Sequence, residues 1–392
     1  MEFRPSVAEE LFRREVQSWL QATLPAGWCD GTFPRPKTAA DRVAFARSWY
    51  GKLWEGGWAG LSWPREYGGR DLSNREHLVF SEEYVRAAAP DLIDVGVGPG
   101  LVGPTVIAHG TEAQKKRILP AILRGDEVWC QGFSEPGAGS DLAALQTRAV
   151  RDGDALVVTG QKVWTSFARF ADWCILVVRT NPDVPKHRGL TFLMLDMRLP
   201  GITIRPLVEM TGVAWFNEVF LEDVRVPLDC VIGEIDRGWE IVITTLSHER
   251  ASVTPYPRIQ SELHGLVALL KSRADQAADP RLRQRIAALE CEVEILRLST
   301  WRSLGTTERD GRPGPEGSVL KLLWSELEQR LFELASEIAG PRGLLDEHDP
   351  AALEGGRWQY GMLWSRAATI YAGTSEVQRN IIAQRVLGLP RG

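Results

Sequence analysis

Hydrophobic positions change period twice along the chain. From residue 7 to about 126 they fall at helical spacing. VAEELFRREVQSWL, AFARSWYGKLW and EHLVFSEEYVRAA place apolar side chains three and four apart, and loops with LPAGW, GTFPRP and WPREYGGRD separate them. Between 127 and 236 the segments shorten. VWCQGF, ALVVTGQKVWTS, DWCILVVRT, LTFLMLD and EVFLEDVRVP are rich in β-branched and aromatic residues, with turns at RDGDA and RTNPDVPKHRG. From 237 the helical period returns. GWEIVITTLSHERASV leads into a long pattern, followed by RIAALECEVEILRLSTWRSL, SVLKLLWSELEQRLFELASEIAG and TSEVQRNIIAQRVLGL, with ERDGRPGPEGS as a polar loop. The pattern predicts an α+β multidomain chain: a helical domain over 1–126, a β domain over 127–236 and a helical bundle over 237–392.

Composition narrows the function classes. The 392 residues carry a net charge of −5, which argues against a general nucleic-acid binder. No apolar run approaches the roughly 20 residues that span a bilayer. The N-terminal MEFRPSVAEELFRREV has charges of both signs and lacks the apolar stretch of a secretory signal. Five cysteines stand far apart with no CxxC pair, so neither a metal site nor a disulfide framework is expected. A reducing, cytoplasmic setting suits them.

Three segments combine residues suited to chemistry. In Ser134-Glu135-Pro136-Gly137-Ala138-Gly139-Ser140-Asp141, glycines and hydroxyls follow a strand, so backbone N–H groups can approach an anion or a heteroaromatic edge. A plain strand-to-loop turn reads equally well. Trp164-Thr165-Ser166 ends a strand, where a tryptophan beside hydroxyls could flank a planar group; with 15 tryptophans in the chain, a core indole is the competing reading. Tyr371-Ala372-Gly373-Thr374-Ser375-Glu376 precedes an apolar-periodic run, as a capped helix start does, and such an end can also hold phosphate.

In this order, and with WPREYGG, GTEAQKKRILP, FSEPGAGSDL, GDALVVTGQKVWTS, FLEDVRVP and YAGTSEVQRNIIAQRVLG, the chain resembles the acyl-CoA dehydrogenase family over nearly its whole length. The resemblance implies a C-terminal four-helix bundle, FAD as cofactor and an acyl-CoA substrate. It places Phe133 and Ser134 at the flavin ring, Trp164 against the isoalloxazine, and Thr165 and Ser166 beside it, with Ser166 near flavin N5. Ser140 falls where the family contacts CoA. Gly340 begins the glycine-containing stretch between the last bundle helices, and Thr374 and Glu376 open the helix on the pyrophosphate side.

The reaction needs a base at the thioester Cα. Much of the family uses the Glu after the Tyr of a YxGT motif, but here that residue is Ala372, which accepts no proton. A subset places the Glu at the start of the first bundle helix, just before an Arg. His248-Glu249-Arg250 stands there, which makes Glu249 the candidate base and assigns Arg250 to the pantetheine region. On its own, Glu249 reads as an exposed helix carboxylate. Ala372 and Gly373 keep the backbone N–H site that holds the thioester oxygen in the family.

The resemblance weakens at the adenine half of FAD. LKSRADQAADPRLRQRIA lacks the family's Phe-Gly pair, and Glu337 stands where a Gln is expected. A partner subunit could supply those contacts, as in mixed assemblies of the family; the expectation is a homo- or hetero-oligomer, dimer or tetramer, with an electron-transferring flavoprotein as acceptor. Four glycines in DVGVGPGLVG, residues 94–103, read as a loop or as a wide acyl pocket wall. Two competing functions are a non-catalytic or half-site subunit of a heteromeric dehydrogenase and an O2-using oxidase or monooxygenase.

Overall fold

The computed structural model describes residues 6–252, 255–310 and 314–390; the side chains of 249–252, 308 and 310 lie outside that description. The helices are α1 (Val7–Thr23), α2 (Ala39–Glu55), α3 (Asn74–Arg86), α4 (Gly103–His109), α5 (Glu112–Arg124), α6 (Gly238–Ser252), α7 (Tyr256–Ser272), α8 (Pro280–Asp310), α9 (Gly317–Ala339), α10 (Arg357–Ala368) and α11 (Ser375–Ile381). The strands are β1 (Trp129–Gly132), β2 (Arg148–Asp152), β3 (Ala155–Lys162), β4 (Trp173–Arg179), β5 (Leu190–Asp196), β6 (Ile202–Leu207), β7 (Phe216–Pro227) and β8 (Val231–Ile232). The expected succession of helices, sheet and helices is present.

By packing, the chain forms two compact units. One joins residues 1–18 and 74–88 to 250–392; the other holds 19–73 and 89–249.

In the second unit the strand order is β6-β7-β3-β2-β4-β5-β8, with β1 parallel to β4. β2 meets β4 through a single pair, Arg148↔Arg179. The two halves of the sheet share one core, to which β3 and β7 bring Val158, Leu221 and Val224, and β4 and β5 bring Leu176, Leu193 and Leu195. The unbroken apolar run of β4 is buried along Cys174–Val178, as a strand covered on both faces requires. β7 alternates until Glu222-Asp223, where the buried set slips from Leu221 to Val224. A bulge between Val158 and Gly160 and a left-handed Asp223 (φ 50°) account for the slip. The β1–β4 register sets Cys130 beside Cys174, and both are free thiols.

Sequence reading missed β2, β6 and the two-residue β8. The burial of β2 is mostly outward, so it lacks an apolar signature. β6 carries Pro206 and ends the sheet order, an edge position where a missing N–H is tolerated.

Residues 98–102 form a π-turn that runs into α4 rather than a loop. Most of the space that its glycines vacate is filled. A Cβ on Gly103 would lie 1.8 Å from the Trp63 ring, and the Trp63 indole N–H donates to the Pro99 carbonyl at 3.2 Å. Only Gly100 of these glycines faces nothing within 4 Å.

In the first unit α7, α8, α9 and α10 form the four-helix bundle. Leu263 and Leu266, Val293 and Leu296, Leu327 and Leu331, and Trp358 meet in its core, joined by Leu78 of α3. Buried Glu83 on α3 accepts from Arg13 and from Gln17 at 2.8 Å, which ties α1 to α3. The expected loop 308–318 is shorter at its start, since α8 continues to Asp310. The last helical run breaks: α11 ends at Ile381 and a π-turn covers 382–386. Among the described residues no helix is long and apolar enough to cross a membrane.

Gly103→Ala is expected to destabilise the protein by about 1–3 kcal/mol, because the Trp63 ring must move. Chemical denaturation checks this, and an unchanged midpoint would contradict it.

Candidate functional site

One candidate site forms at the ends of β1 and β3. The Val163 N–H donates to the Ser134 carbonyl at 2.9 Å, which ties the end of β3 to the segment after β1 although the two strands share no ladder. Lys162, the last residue of β3, is fully buried. Its ammonium donates to the Phe133 carbonyl at 3.1 Å and to Glu135 Oε1 at 2.8 Å. Glu135 also accepts from the Gln146 N–H at 2.7 Å and the Thr147 N–H at 2.9 Å. Burial alone would raise the Glu135 carboxyl, but the Lys162 charge and these bonds hold it below the usual range. Burial pulls Lys162 down, opposed by Glu135. Phe133 itself is buried, while Ser134 is half-buried and Ser140 exposed. Gly137 and Gly139 leave open space where a Cβ would stand, so this loop presents backbone outward.

Trp164 follows Lys162 by two residues. It adopts a left-handed backbone (φ 60°) and is 59% exposed, unlike a core indole. Its ring meets Phe216 edge-on at 5.9 Å. Thr165 is fully buried and paired with Asn217 at both backbone positions: its N–H donates to the Asn217 carbonyl at 3.1 Å, and the Asn217 side-chain amide donates to its carbonyl at 3.0 Å. Yet Thr165 Oγ1 has no hydrogen-bond partner among the described residues. An exposed indole, a half-buried Ser166 and a buried hydroxyl without a partner fit the edge and face of a planar heteroaromatic group such as a flavin.

The same unit positions α6. Thr105 and Thr245 hydroxyls are 2.8 Å apart, and His109 Nε2 lies 3.0 Å from Thr244 Oγ1, so α4 is bonded to α6. Burial lowers the His248 imidazole, and the His109 charge lowers it further. The backbone of Glu249 and Arg250 lies in α6; their side chains, and with them the candidate base, fall outside the described residues.

A second candidate site belongs to the bundle unit. Ala372 and Gly373 both take left-handed backbone conformations (φ 53° and 91°). The Gln378 amide donates to their carbonyls at 2.9 and 3.2 Å, which fixes the turn. The Ala372 N–H has no hydrogen-bond partner among the described residues. Thr374 caps α11, its hydroxyl accepting from the Val377 N–H at 3.3 Å. Glu376 is exposed; its own N–H and the Thr374 hydroxyl hold its carboxyl below the ordinary range.

Thr374 and Glu376 line a cleft of about 440 Å3. Three carboxylates (Glu326, Glu333, Glu376) face two guanidinium groups there. Arg379 pairs with Glu326, and Arg330 pairs with Glu292. Gly340 ends α9 with φ 62°. Glu337, which stands where the family has a Gln, pairs with Arg285 at 2.6 Å.

Sequence reading passed over the buried carboxylate of Asp94. It is 6% exposed, its Oδ1 has no partner, and burial together with Asp91 pushes it up to about 6, with Arg42 opposing. The only sequence signal was an Asp at the start of a glycine-rich run.

Two predictions follow from this geometry. Lys162→Met leaves Glu135 buried and unpaired, so thermal unfolding should show a loss of about 3–5 kcal/mol; a variant as stable as the parent would contradict the role of the pair. Asp94 is harder to ionise folded than unfolded. Its penalty is absent below the ordinary value of 3.8 and complete above about 6. Asp94→Asn should therefore raise Tm at pH 7.5 and lose that gain by pH 4. An equal gain at both pH values would contradict it.

Three family models match in succession: the N-terminal domain of acyl-CoA dehydrogenase over residues 7–126, the middle domain over 130–224 and the C-terminal domain over 236–387. The acyl-CoA dehydrogenase IpdE1 of Mycobacterium tuberculosis is 42% identical over 97% of this chain and 98% of its own. Among solved structures, the Tcur3481-Tcur3483 steroid ACAD is similar with a TM-score of 0.87 at 32% identity, covering 100% of both chains. The ChsE4-ChsE5 complex from Mycobacterium tuberculosis is similar with a TM-score of 0.84 at 32% identity, also covering 100% of both chains. With all three domains matched in order and a relative 42% identical over nearly the whole length, the chain belongs to the acyl-CoA dehydrogenase family.

Proposed function

We propose that the protein removes a proton from Cα and a hydride from Cβ of an acyl-CoA thioester, with Glu249 as base and FAD as cofactor. The observation that carries this reading is the unpartnered Ala372 N–H on a turn fixed by Gln378. An N–H held without a partner is suited to an oxygen that gains negative charge, as a thioester carbonyl does when its α-proton leaves. Ala372 keeps this donor while losing the carboxylate that its position carries elsewhere in the family.

Bound FAD supplies the acceptor for the β-hydride. Phe133, Ser134, Trp164, Thr165 and Ser166 would hold its ring portion; Gly340, Thr374 and Glu376 would meet its pyrophosphate side. Ser140, Arg250, Ala372 and Gly373 would bind the thioester and CoA. Glu249 takes the α-proton on its carboxylate, and an apolar acyl chain that excludes water would raise its affinity for that proton. An electron-transferring flavoprotein is the proposed acceptor, and the cytoplasm the proposed location.

A mixed assembly is supported by the cleft beside Thr374. Its carboxylates outnumber its cations, and both arginines are already paired. A diphosphate bound there needs positive charge from elsewhere, which a second chain type could bring. Two relatives of known structure are named as two-protein assemblies.

Glu249→Gln should keep its flavin but lose anaerobic bleaching by acyl-CoA by at least about a thousandfold. Bleaching at the parent rate would remove Glu249 from the role of base.

A further inference from the structure

Asp94, Arg42 and Trp215 lie in one unit, and two of them are incompletely bonded. The Asp94 carboxyl is buried with Oδ1 unpartnered, and the buried Arg42 Nε is unpartnered too. The two groups sense each other's charge, yet among the described residues they form neither a hydrogen bond nor an ion pair with each other. The Arg42 guanidinium instead lies over the Trp215 ring, 4.1 Å from its centroid. A buried acceptor, a buried donor and an aromatic surface thus stand together with polar capacity unused. Leaving both unsatisfied costs stability, and a protein keeps such groups where a ligand completes them.

The arrangement is rigid. The Trp215 N–H donates to Glu209 Oε1 at 2.8 Å, its carbonyl accepts from the Phe167 N–H at 2.8 Å, and its ring meets Phe167 edge-on at 5.1 Å. Phe167 directly follows Ser166, so the cluster is built on the same turn that presents Trp164. Asp94 precedes the π-turn of 98–102, in a segment that the sequence reads either as a loop or as the wall of an acyl pocket.

Chemistry selects the ligand. A hydroxyl donates to the Asp94 carboxylate and accepts from Arg42, completing both. A ketone satisfies Arg42 alone. A carboxylate is repelled by Asp94 and an ammonium by Arg42. An alkyl group leaves both unsatisfied. We propose that Asp94, Arg42 and Trp215 form a subsite for a hydroxyl group carried by the acyl substrate. This inference rests on the acyl-CoA dehydrogenase reading and names its substrate class.

The test uses the flavin-loaded protein and two CoA thioesters that cannot be oxidised, because sulfur replaces Cβ. One ends in a 4-hydroxycyclohexyl group and the other in cyclohexyl. Calorimetry should show at least about tenfold tighter binding of the hydroxylated probe. Asp94→Leu and Arg42→Leu should each bring that ratio to about one, and Asp94→Asn, which keeps the shape of the side chain, should give an intermediate ratio. Equal binding of both probes by the parent protein, or a ratio unchanged in the variants, would overturn the proposal. Flavin bleaching by the corresponding all-carbon thioesters is read separately. A hydroxyl preference in binding without any bleaching would keep the subsite and remove the dehydrogenation reading.

Discussion

The buried ion pair of Lys162 and Glu135 is the constraint from which the geometry at the ends of β1 and β3 follows. One ammonium holds the Phe133 carbonyl and the Glu135 carboxylate; that carboxylate in turn holds the amides of residues 146 and 147. Three backbone segments, at 133–135, 146–147 and 162, are fixed at one point. Replacing such a pair with apolar side chains can leave stability unchanged or better, so its value lies in specifying where the strand ends stand. With the end of β3 fixed, the chain leaves it through a left-handed Trp164 and turns the indole outward.

Much of the fold is legible in the sequence because burial there follows period. The unbroken apolar run of β4, the alternation in β7 and the heavy apolar face of α9 each announce their element. β2, with an outward polar pattern, and β6, with Pro206 at an edge, carry no such signal. The π-turn at 98–102 is invisible for another reason. Its glycines read as a loop, and what fills the space beside Gly103 is Trp63, forty residues away. Of the site, motif order gave the residues at the ends of β1 and β3 and at the 371–376 turn. Lys162 was not legible, since a lysine within a strand reads as solvent-facing. Nor was Asp94, whose burial depends on long-range packing.

The places where local rules fail lie together in function. Ala372 adopts a left-handed backbone that a β-carbon disfavours, and it leaves its N–H unpartnered. Thr165 buries a hydroxyl without a partner, and Asp94 and Arg42 leave complementary groups unused. Each departure costs stability in the protein alone. Each is accounted for if cofactor, thioester oxygen and substrate hydroxyl complete it, so one account covers four otherwise unrelated defects.

The most direct test of that account follows the two hydrogens that leave the substrate. The flavin-loaded protein is mixed without oxygen with an acyl-CoA deuterated at Cα, or at Cβ, and the loss of flavin absorbance is timed. The account predicts that deuterium at either carbon slows the bleaching, because both C–H bonds break in the step that reduces the flavin. Flavin reduction with no isotope effect at Cα would contradict it, since no base would then be drawing a proton from that carbon.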